Sequence, residues 1–313
     1  MSIYKKLKWK YLRYIVYLDR HNLSSYLLPL ILFVVTIALL AVGLNFYHYT
    51  NVWTDWRIAE NNALTFCEHN RFAEAIVQPA NTWSNIGYLI VGLLCMFIGI
   101  NDIKSREPNI TNLLVRYPAF SIMIGISCIY LFFGSFLYHA SLAYTFQKLD
   151  ITGMYAVAIA FIGYNVFRFF PTRYAKLLSK YRSNHHVIIT VGILLNVVFF
   201  MGLWKVNVNV LFPIVVLVLI ILNVLYKMRS NHISKIYQQL FNLSILLLLS
   251  ATVFWVLDRQ NVLCSPTSIW QGHAFWHILN SSSIFLLYLC YRTETVNLEA
   301  IYKNKENVFL YYK

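Results

Sequence analysis

Eight long apolar runs fill most of this chain and restrict it to one class of fold. Each run is continuous and close to the roughly 20 residues that a membrane-spanning helix needs, whereas the strands of membrane barrels alternate over about 10 residues. Charged residues make up only 12% of the chain, well below the roughly 25% typical of a soluble domain. The sequence therefore predicts an all-α membrane protein, with runs near Leu27–Phe46, 82–100, 118–138, 150–168, 187–204, 208–226, 242–257 and 273–291.

The basic residues between the runs predict how the chain crosses the membrane. Lys and Arg are concentrated in the two tails and in alternate loops, whereas the other loops hold few of them and include an acidic stretch at 47–80. Cytoplasmic loops are the basic ones in membrane proteins, so eight spans with both termini in the cytoplasm satisfy every loop. The formal net charge of +14 therefore reflects topology and contact with anionic lipid headgroups rather than binding to nucleic acid.

The same pattern predicts the order of domains along the chain. The seven later runs form one transmembrane bundle, and the first run adds an extra N-terminal transmembrane helix. A cleaved signal peptide is the alternative for the first run, but the basic segment before it and its apolar core are both longer than such peptides have. The predicted order is a basic cytoplasmic tail at 1–25, an anchor helix at 26–47, an outer polar segment at 48–81, the seven-helix domain at 82–292 and a cytoplasmic tail at 293–313.

Five polar side chains from three different runs are predicted to lie on the outer side of the membrane, at the same depth. Ser135 and His139 fall at the outer end of one run, Asp150 opens the next run, and His273 and His277 open the last. Residues four apart share one face of a helix, which applies to both spaced pairs. Polar groups inside membrane spans are costly, so each of the five is a candidate functional residue.

Each of these residues has an ordinary explanation when it is taken alone. A histidine at a helix end is usually interfacial or hydrogen-bonded, Ser135 suits helix packing, and Asp150 suits an N-cap. The histidine pair of the last run is also compatible with haem, although bis-histidine ligation normally takes one histidine from each of two helices. Three neutral imidazoles together are instead a typical ligand set for catalytic zinc.

Short sequence blocks surround these residues: CEHN at 67–70 with QPANTWSN at 78–85, GSFLYHASL at 134–142 with LD at 149–150, and LDRQNVLC at 257–264 with GHAFWHIL at 272–279. In combination they resemble the alkaline ceramidase family, which belongs to a wider group of seven-span membrane hydrolases that includes the adiponectin-receptor-like proteins. The resemblance covers roughly residues 65–292.

The resemblance implies a zinc-dependent hydrolytic site inside a seven-helix bundle. His139, His273 and His277 would bind zinc, Asp150 would orient or deprotonate the attacking water as general base, and Ser135 would hydrogen-bond the oxyanion. The expected reaction cleaves the amide bond of ceramide or a related membrane lipid into a sphingoid base and a fatty acid. The alternatives are hydrolysis of another lipid amide or ester, and lipid binding without catalysis, as in a seven-span receptor. The site would face the outer side, which is periplasmic or lumenal according to the host.

The first block departs from the family at the residues that would bind calcium. The eukaryotic family members have further carboxylates there, whereas this chain has Thr65 and Gln78 at the corresponding positions and keeps only Glu68 and Asn70. Calcium prefers several anionic oxygen ligands, so these losses weaken the case for calcium, and Glu68 alone suits a solvated or capping residue. Ile151 also replaces the glutamate that follows the family's aspartate, which leaves the substrate range and the pH optimum open.

The five cysteines fall into two groups. Cys95, Cys128 and Cys290 lie in apolar runs and are interpreted as packing residues. Cys67 and Cys264 lie in polar segments of the outer side, and the family resemblance implies a disulfide between them, which an oxidising exterior would allow. Two free thiols are the alternative.

Overall fold

A computed structural model describes residues 24–46, 52–59, 66–105, 112–169, 184–202, 207–229, 234–262 and 264–294. The basic N-terminal tail, Thr65 and the C-terminal residues 295–313 lie outside this described part. Within it the protein is all-helical, apart from an isolated antiparallel bridge between Ile58 and Ala143. The fold class predicted from the apolar runs, an all-α protein, is therefore confirmed.

Among the described residues, eight long helices overlap the eight predicted apolar runs, and two short helices lie between them. In chain order they are α1 Ser24–Phe46, α2 Pro79–Ser84, α3 Ile86–Ser105, α4 Leu113–Arg116, α5 Ala119–Ser141, α6 Tyr144–Phe169, α7 Asn184–Met201, α8 Val208–Arg229, α9 Lys235–Arg259 and α10 Gly272–Arg292. Six of the described helical segments are long and apolar enough to cross a membrane, namely α1, α2 with α3, α5, α6, α8 and α9. The apolar stretch of α7 is shorter, at 189–198, and α10 carries a polar face of His, Asn and Ser residues.

One predicted boundary is wrong in a way that matters for the site. Asp150 was expected to open its span, with an N-cap as its ordinary explanation, but α6 begins at Tyr144 and places Asp150 in the second helical turn. The polar residues just before it resemble a loop in sequence, yet their backbone continues the helix. Asp150 therefore has no orphan amides of its own helix start to satisfy, and its side chain is available for another role.

The bundle is organised around α5, which packs against α3 and α6. The last helix, α10, packs against α9 and also contacts α3. Two glycines allow the backbones of α3 and α5 to touch, because a Cβ on Gly125 would lie 2.7 Å from the carbonyl oxygen of Gly92. Small residues have this role at many membrane helix interfaces. By contrast, α1, α8 and α9 keep many exposed apolar side chains, such as Leu39, Leu217 and Leu249, as expected for lipid contact.

The two ends of the bundle carry different polar groups, and we name them accordingly. The histidine end holds the C-terminus of α5 and the N-terminus of α10. The opposite end, called the ion-pair end, contains two buried ion pairs, Arg168 with Glu294 and Arg292 with Asp102. These pairs join the C-terminal ends of α3 and α6 to the chain at the end of α10.

Candidate metal centre

Three buried histidines converge at the histidine end. His139 lies near the end of α5, and His273 and His277 lie in the first two turns of α10. Their side chains are at most 5% exposed, and one ring nitrogen from each lies within 4.8 Å of the others. In the part of the chain that the structure describes, this is the one group of His, Cys, Asp or Glu residues with metal-ligand spacing.

The proton on His139 is located by its hydrogen-bond partner. Gln78 donates its Nε2 to Asn70 Oδ1 at 2.7 Å, so its carbonyl oxygen Oε1 is the atom that faces His139 Nδ1, at 2.8 Å. A carbonyl oxygen only accepts, so Nδ1 of His139 carries the proton. The Nε2 atom of His139 therefore presents a lone pair to the centre of the cluster.

His277 is oriented in the same way by a serine. The hydroxyl of Ser84 donates to the backbone oxygen of Asn81 at 2.9 Å, so its oxygen accepts from His277 Nδ1 at 2.8 Å. The Nε2 of His277 then also carries a lone pair. Such partners fix the tautomer and ring orientation of metal-binding histidines. Nδ1 of His273 is buried without a hydrogen-bond partner among the described residues.

The spacing of the ring nitrogens fits a metal ion. Nε2 of His139 and Nε2 of His273 are 3.1 Å apart. Zinc–nitrogen bonds of about 2.0–2.1 Å in tetrahedral geometry place two ligand nitrogens at about this separation. Without a metal, a proton on Nε2 of His273 can bridge the two nitrogens as a hydrogen bond. A cation in place of that proton would be bound by both rings, so the described residues fit a metal ion that accepts imidazole ligands.

Ser135 and Asp150 lie together at a close contact between α5 and α6. The hydroxyl of Ser135 hydrogen-bonds the carboxylate of Asp150, and a Cβ on the neighbouring Gly134 would lie within 2.9 Å of the backbone of Leu149 and Asp150. Only glycine at position 134 therefore permits this approach. Tyr88 adjoins the histidines, because its ring packs edge-on to that of His277 with 6.0 Å between the ring centres.

The segment before α2 is anchored to the histidine end by a disulfide between Cys67 and Cys264. Next to it, Glu68 accepts from the backbone N–H groups of Ala80 and Asn81 at 2.7 and 2.9 Å, which are free donors in the first turn of α2. Burial raises the pKa of Glu68, and these two N–H groups partly oppose the rise. Glu68 therefore supplies the capping hydrogen bonds that the N-cap residue Gln78 would otherwise make. The side chain of Gln78 is free of that role and contacts His139 instead.

The two residues considered for calcium are thus engaged in other contacts. Both carboxylate oxygens of Glu68 accept backbone N–H groups, and Oδ1 of Asn70 accepts from Gln78. Glu68 is 4% exposed, so of the two ordinary explanations, solvated or capping, the structure supports capping. Gln78, which replaces a family carboxylate, is a partner of a cluster histidine.

Asp258 is a residue of this site that the sequence did not single out. Its two carboxylate oxygens accept from the backbone N–H groups of Cys67 and His273, each at 3.0 Å. It therefore ties the disulfide segment and the start of α10 to the end of α9. Gly272 permits the contact, since a Cβ there would lie 2.9 Å from Cβ of Asp258. The block at 257–264 contained this aspartate, but nothing local indicated its partners.

An apolar pocket lies inside the bundle and begins, on α10, one turn beyond His277. It is lined by α5, α6, α8, α9 and α10, and its walls include Leu131, Phe161 and Leu219. Asn280, one turn beyond His277, lines the pocket and donates to the hydroxyl of Tyr88 at 3.2 Å. At the other extreme, Asn223 lines it near the ion-pair end.

Comparison with known proteins shows to which family the chain belongs. The ceramidase family model matches residues 59–313, which include all three histidines and both disulfide cysteines. The chain belongs to the ceramidase family. Mouse alkaline ceramidase 1 is 26% identical over 236 residues, covering 71% of this chain and 76% of that protein. The family resemblance inferred from the short blocks is therefore confirmed for the greater part of the chain.

Replacing Gln78 with alanine is expected to weaken metal binding by about 10- to 100-fold, the usual effect of removing a hydrogen-bond partner of a metal-binding histidine. The His139 ring would lose the acceptor that fixes its tautomer. Gln78→Glu, which keeps an acceptor oxygen, should retain most of the affinity. The measurement is metal retention by purified protein against a competing chelator.

The matched control is Gln239→Ala, because Gln239 is exposed on α9. If Gln78→Ala retains metal as well as this control and the unaltered protein do, Gln78 has no part in holding His139.

Proposed function

We propose that this protein is a zinc-dependent intramembrane hydrolase that cleaves the amide bond of ceramide or a related lipid, giving a sphingoid base and a fatty acid. The observation that carries the proposal is the convergence of three buried histidines, one helical turn along α10 from an apolar pocket that begins at Asn280. The same chain belongs to the ceramidase family. A buried polar site next to an apolar pocket suits an amide that carries long hydrocarbon chains.

In this proposal His139, His273 and His277 hold the zinc ion. When bound, zinc would polarise the scissile carbonyl and acidify the attacking water. Asp150 would orient that water, take its proton and deliver the proton to the departing amine nitrogen. Ser135 would donate to the substrate carbonyl oxygen as negative charge develops on it. The hydrogen bond between Ser135 and Asp150 supports a shared task for this pair.

The pocket supports a lipid substrate. It lies between α8 and α9, which pack mainly on α6 and α10 respectively rather than on each other. Its walls are almost entirely aliphatic and aromatic, and its polar Ser244 and Ser283 satisfy each other by hydrogen bonds. An acyl chain that entered between α8 and α9 would place its amide near the histidines.

We propose the predicted topology for the same protein: a seven-helix transmembrane domain at 82–292, preceded by one transmembrane anchor helix at 26–47. The basic tails and loops support cytoplasmic termini, with the polar segment 48–81 and the histidine end on the outer side. The disulfide between Cys67 and Cys264 supports the same orientation, because disulfides persist in oxidising compartments.

One experiment separates this function from its alternatives. Purified protein would be assayed for zinc by elemental analysis and incubated with ceramides and with phospholipids. We expect close to one zinc per chain and release of fatty acid from ceramide. Absence of zinc would contradict the proposal, and so would zinc-loaded protein that binds ceramide without cleaving it, as a receptor would. Cleavage of phospholipid esters alone would identify a lipid esterase instead.

A further inference from the structure

The pocket ends at a buried charged cluster, and we propose that this cluster is a floor that limits the length of the acyl chain the protein accepts. The floor cluster comprises Asn223, Arg168 and Glu294. The inference rests on the proposed function only in calling the bound hydrocarbon chain an acyl group. That the pocket limits the length of such a chain follows from the pocket itself.

Asn223 is the floor residue that faces the pocket. It is 2% exposed and lines the pocket from α8. Its Oδ1 accepts from Arg168 Nη2 at 2.8 Å, and its Nδ2 donates to the backbone oxygen of Leu219 at 2.8 Å. With both polar atoms engaged, the side chain is held in one position rather than free to swing aside.

Arg168 makes the floor rigid from below. It pairs with Glu294, its guanidinium lies 4.0 Å from the ring centre of Tyr226, and Nη1 approaches the hydroxyl of Tyr237 at 3.4 Å. Glu294 also accepts from another buried hydroxyl, that of Tyr164. A buried ion pair that loses a partner leaves an uncompensated charge, so a longer apolar chain could not displace these groups without a large penalty.

The depth of the pocket matches one hydrocarbon chain. On α8 the lining residues run from Phe212 to Asn223, which at 1.5 Å per residue is about 16 Å. On α10 the lining residues run from Asn280 to Leu287, about 10 Å by the same rise, and His277 lies about 5 Å before Asn280. The lining stretch of α8, and the stretch of α10 from His277 to Leu287, are each about half of the 30 Å hydrocarbon core of a bilayer, the depth of one leaflet. A chain with its head group beside His277, one turn before the first lining residue of α10, would therefore have its methyl end near Asn223.

The test changes the floor in both directions. Leu219 lies one turn closer to the histidines on the same helix and also lines the pocket, so Leu219→Phe would raise the floor, whereas Asn223→Ala would lower it. Leu225→Ala is the matched control, because Leu225 is exposed on α8. The assay is competition among ceramides of graded N-acyl length, read as the ratio of kcat/KM for long against short chains.

We expect Leu219→Phe to lower this ratio by about tenfold and Asn223→Ala to raise it, since one methylene in an apolar pocket changes selectivity by about 10- to 200-fold. Leu225→Ala should leave the ratio unchanged. An unchanged ratio in Leu219→Phe, with normal zinc content and hydrolysis, would overturn the floor. Leu219→Phe therefore keeps the test decisive if Asn223→Ala fails to fold.

A parallel measurement separates failure of the floor from failure of the proposed function. Saturated fatty acids of graded length would be tested for thermal stabilisation of the wild type and of Leu219→Phe. If no ceramide is cleaved but Leu219→Phe shifts the best stabilising length towards shorter acids, the proposed function fails and the floor stands. If fatty acids stabilise the two proteins with the same length dependence, or stabilise neither, the floor is refuted.

Discussion

Replacing His277 with alanine is expected to abolish stoichiometric zinc binding and to lower ceramide hydrolysis by about 10³-fold or more. A bound metal contributes several kcal/mol of transition-state stabilisation, and each 1.36 kcal/mol corresponds to about tenfold in rate. The ring is 2% exposed and its Nδ1 is held by Ser84, so no other described side chain can take its place without rebuilding the site. Zinc content and initial rates of fatty acid release measure the effect.

His69→Ala is the matched control, because His69 is exposed and does not belong to the cluster. It should keep both zinc and activity. Full activity in His277→Ala would contradict the metal centre, provided that the variant elutes as folded protein in detergent. Zinc added after treatment with a chelator should restore the activity of the unaltered protein but not that of His277→Ala. That result would show that the activity is lost because this ligand is missing.

Replacing Asp150 with asparagine is expected to reduce hydrolysis by about 10²- to 10⁴-fold, the range that general acid–base catalysis contributes, while zinc content stays the same. Asparagine has nearly the same shape and can still contact Ser135, but it cannot accept the proton from water. Asp150 does not belong to the group with metal-ligand spacing, which is why metal content and activity should separate in this variant.

Asp55→Asn provides the comparison, since Asp55 is an exposed carboxylate and its loss should change neither quantity. Loss of zinc from Asp150→Asn would mean that the aspartate stabilises the metal centre rather than the reaction. Undiminished turnover in Asp150→Asn would remove the residue from the mechanism and transfer the role of general base to another group.

Much of the fold could be predicted from the sequence because a membrane makes local composition decisive. A run of about 20 apolar residues has one low-energy arrangement in lipid, a helix that satisfies its own backbone. The limits of α5 and α10 accordingly lie within three residues of the predicted runs. The start of α6 was predicted six residues too late, because polar residues at a membrane surface can continue a helix as readily as they can end it.

The histidines of the candidate site could also be predicted, since their spacing and neighbouring blocks are local features. The residues that orient them could not. Gln78 and His139 are 61 residues apart in sequence, Ser84 and His277 are 193 apart, and Cys67 and Asp258 are 191 apart. From the sequence alone, Gln78 is only the replacement of a family carboxylate. Its role as the hydrogen-bond acceptor of His139 is visible only in the structure.

The sequence by itself determined the helical membrane class, the family and the three histidines, because apolar length, basic loops and short motifs are local properties of the chain. The tertiary structure alone decided which ring nitrogens face one another, where Ser135 meets Asp150, and where the pocket ends. The floor shows this most clearly: Arg168 and Glu294 lie 126 positions apart in segments with no motif in common. Their pairing follows from the packing of the helices, which brings together side chains that are far apart in the sequence.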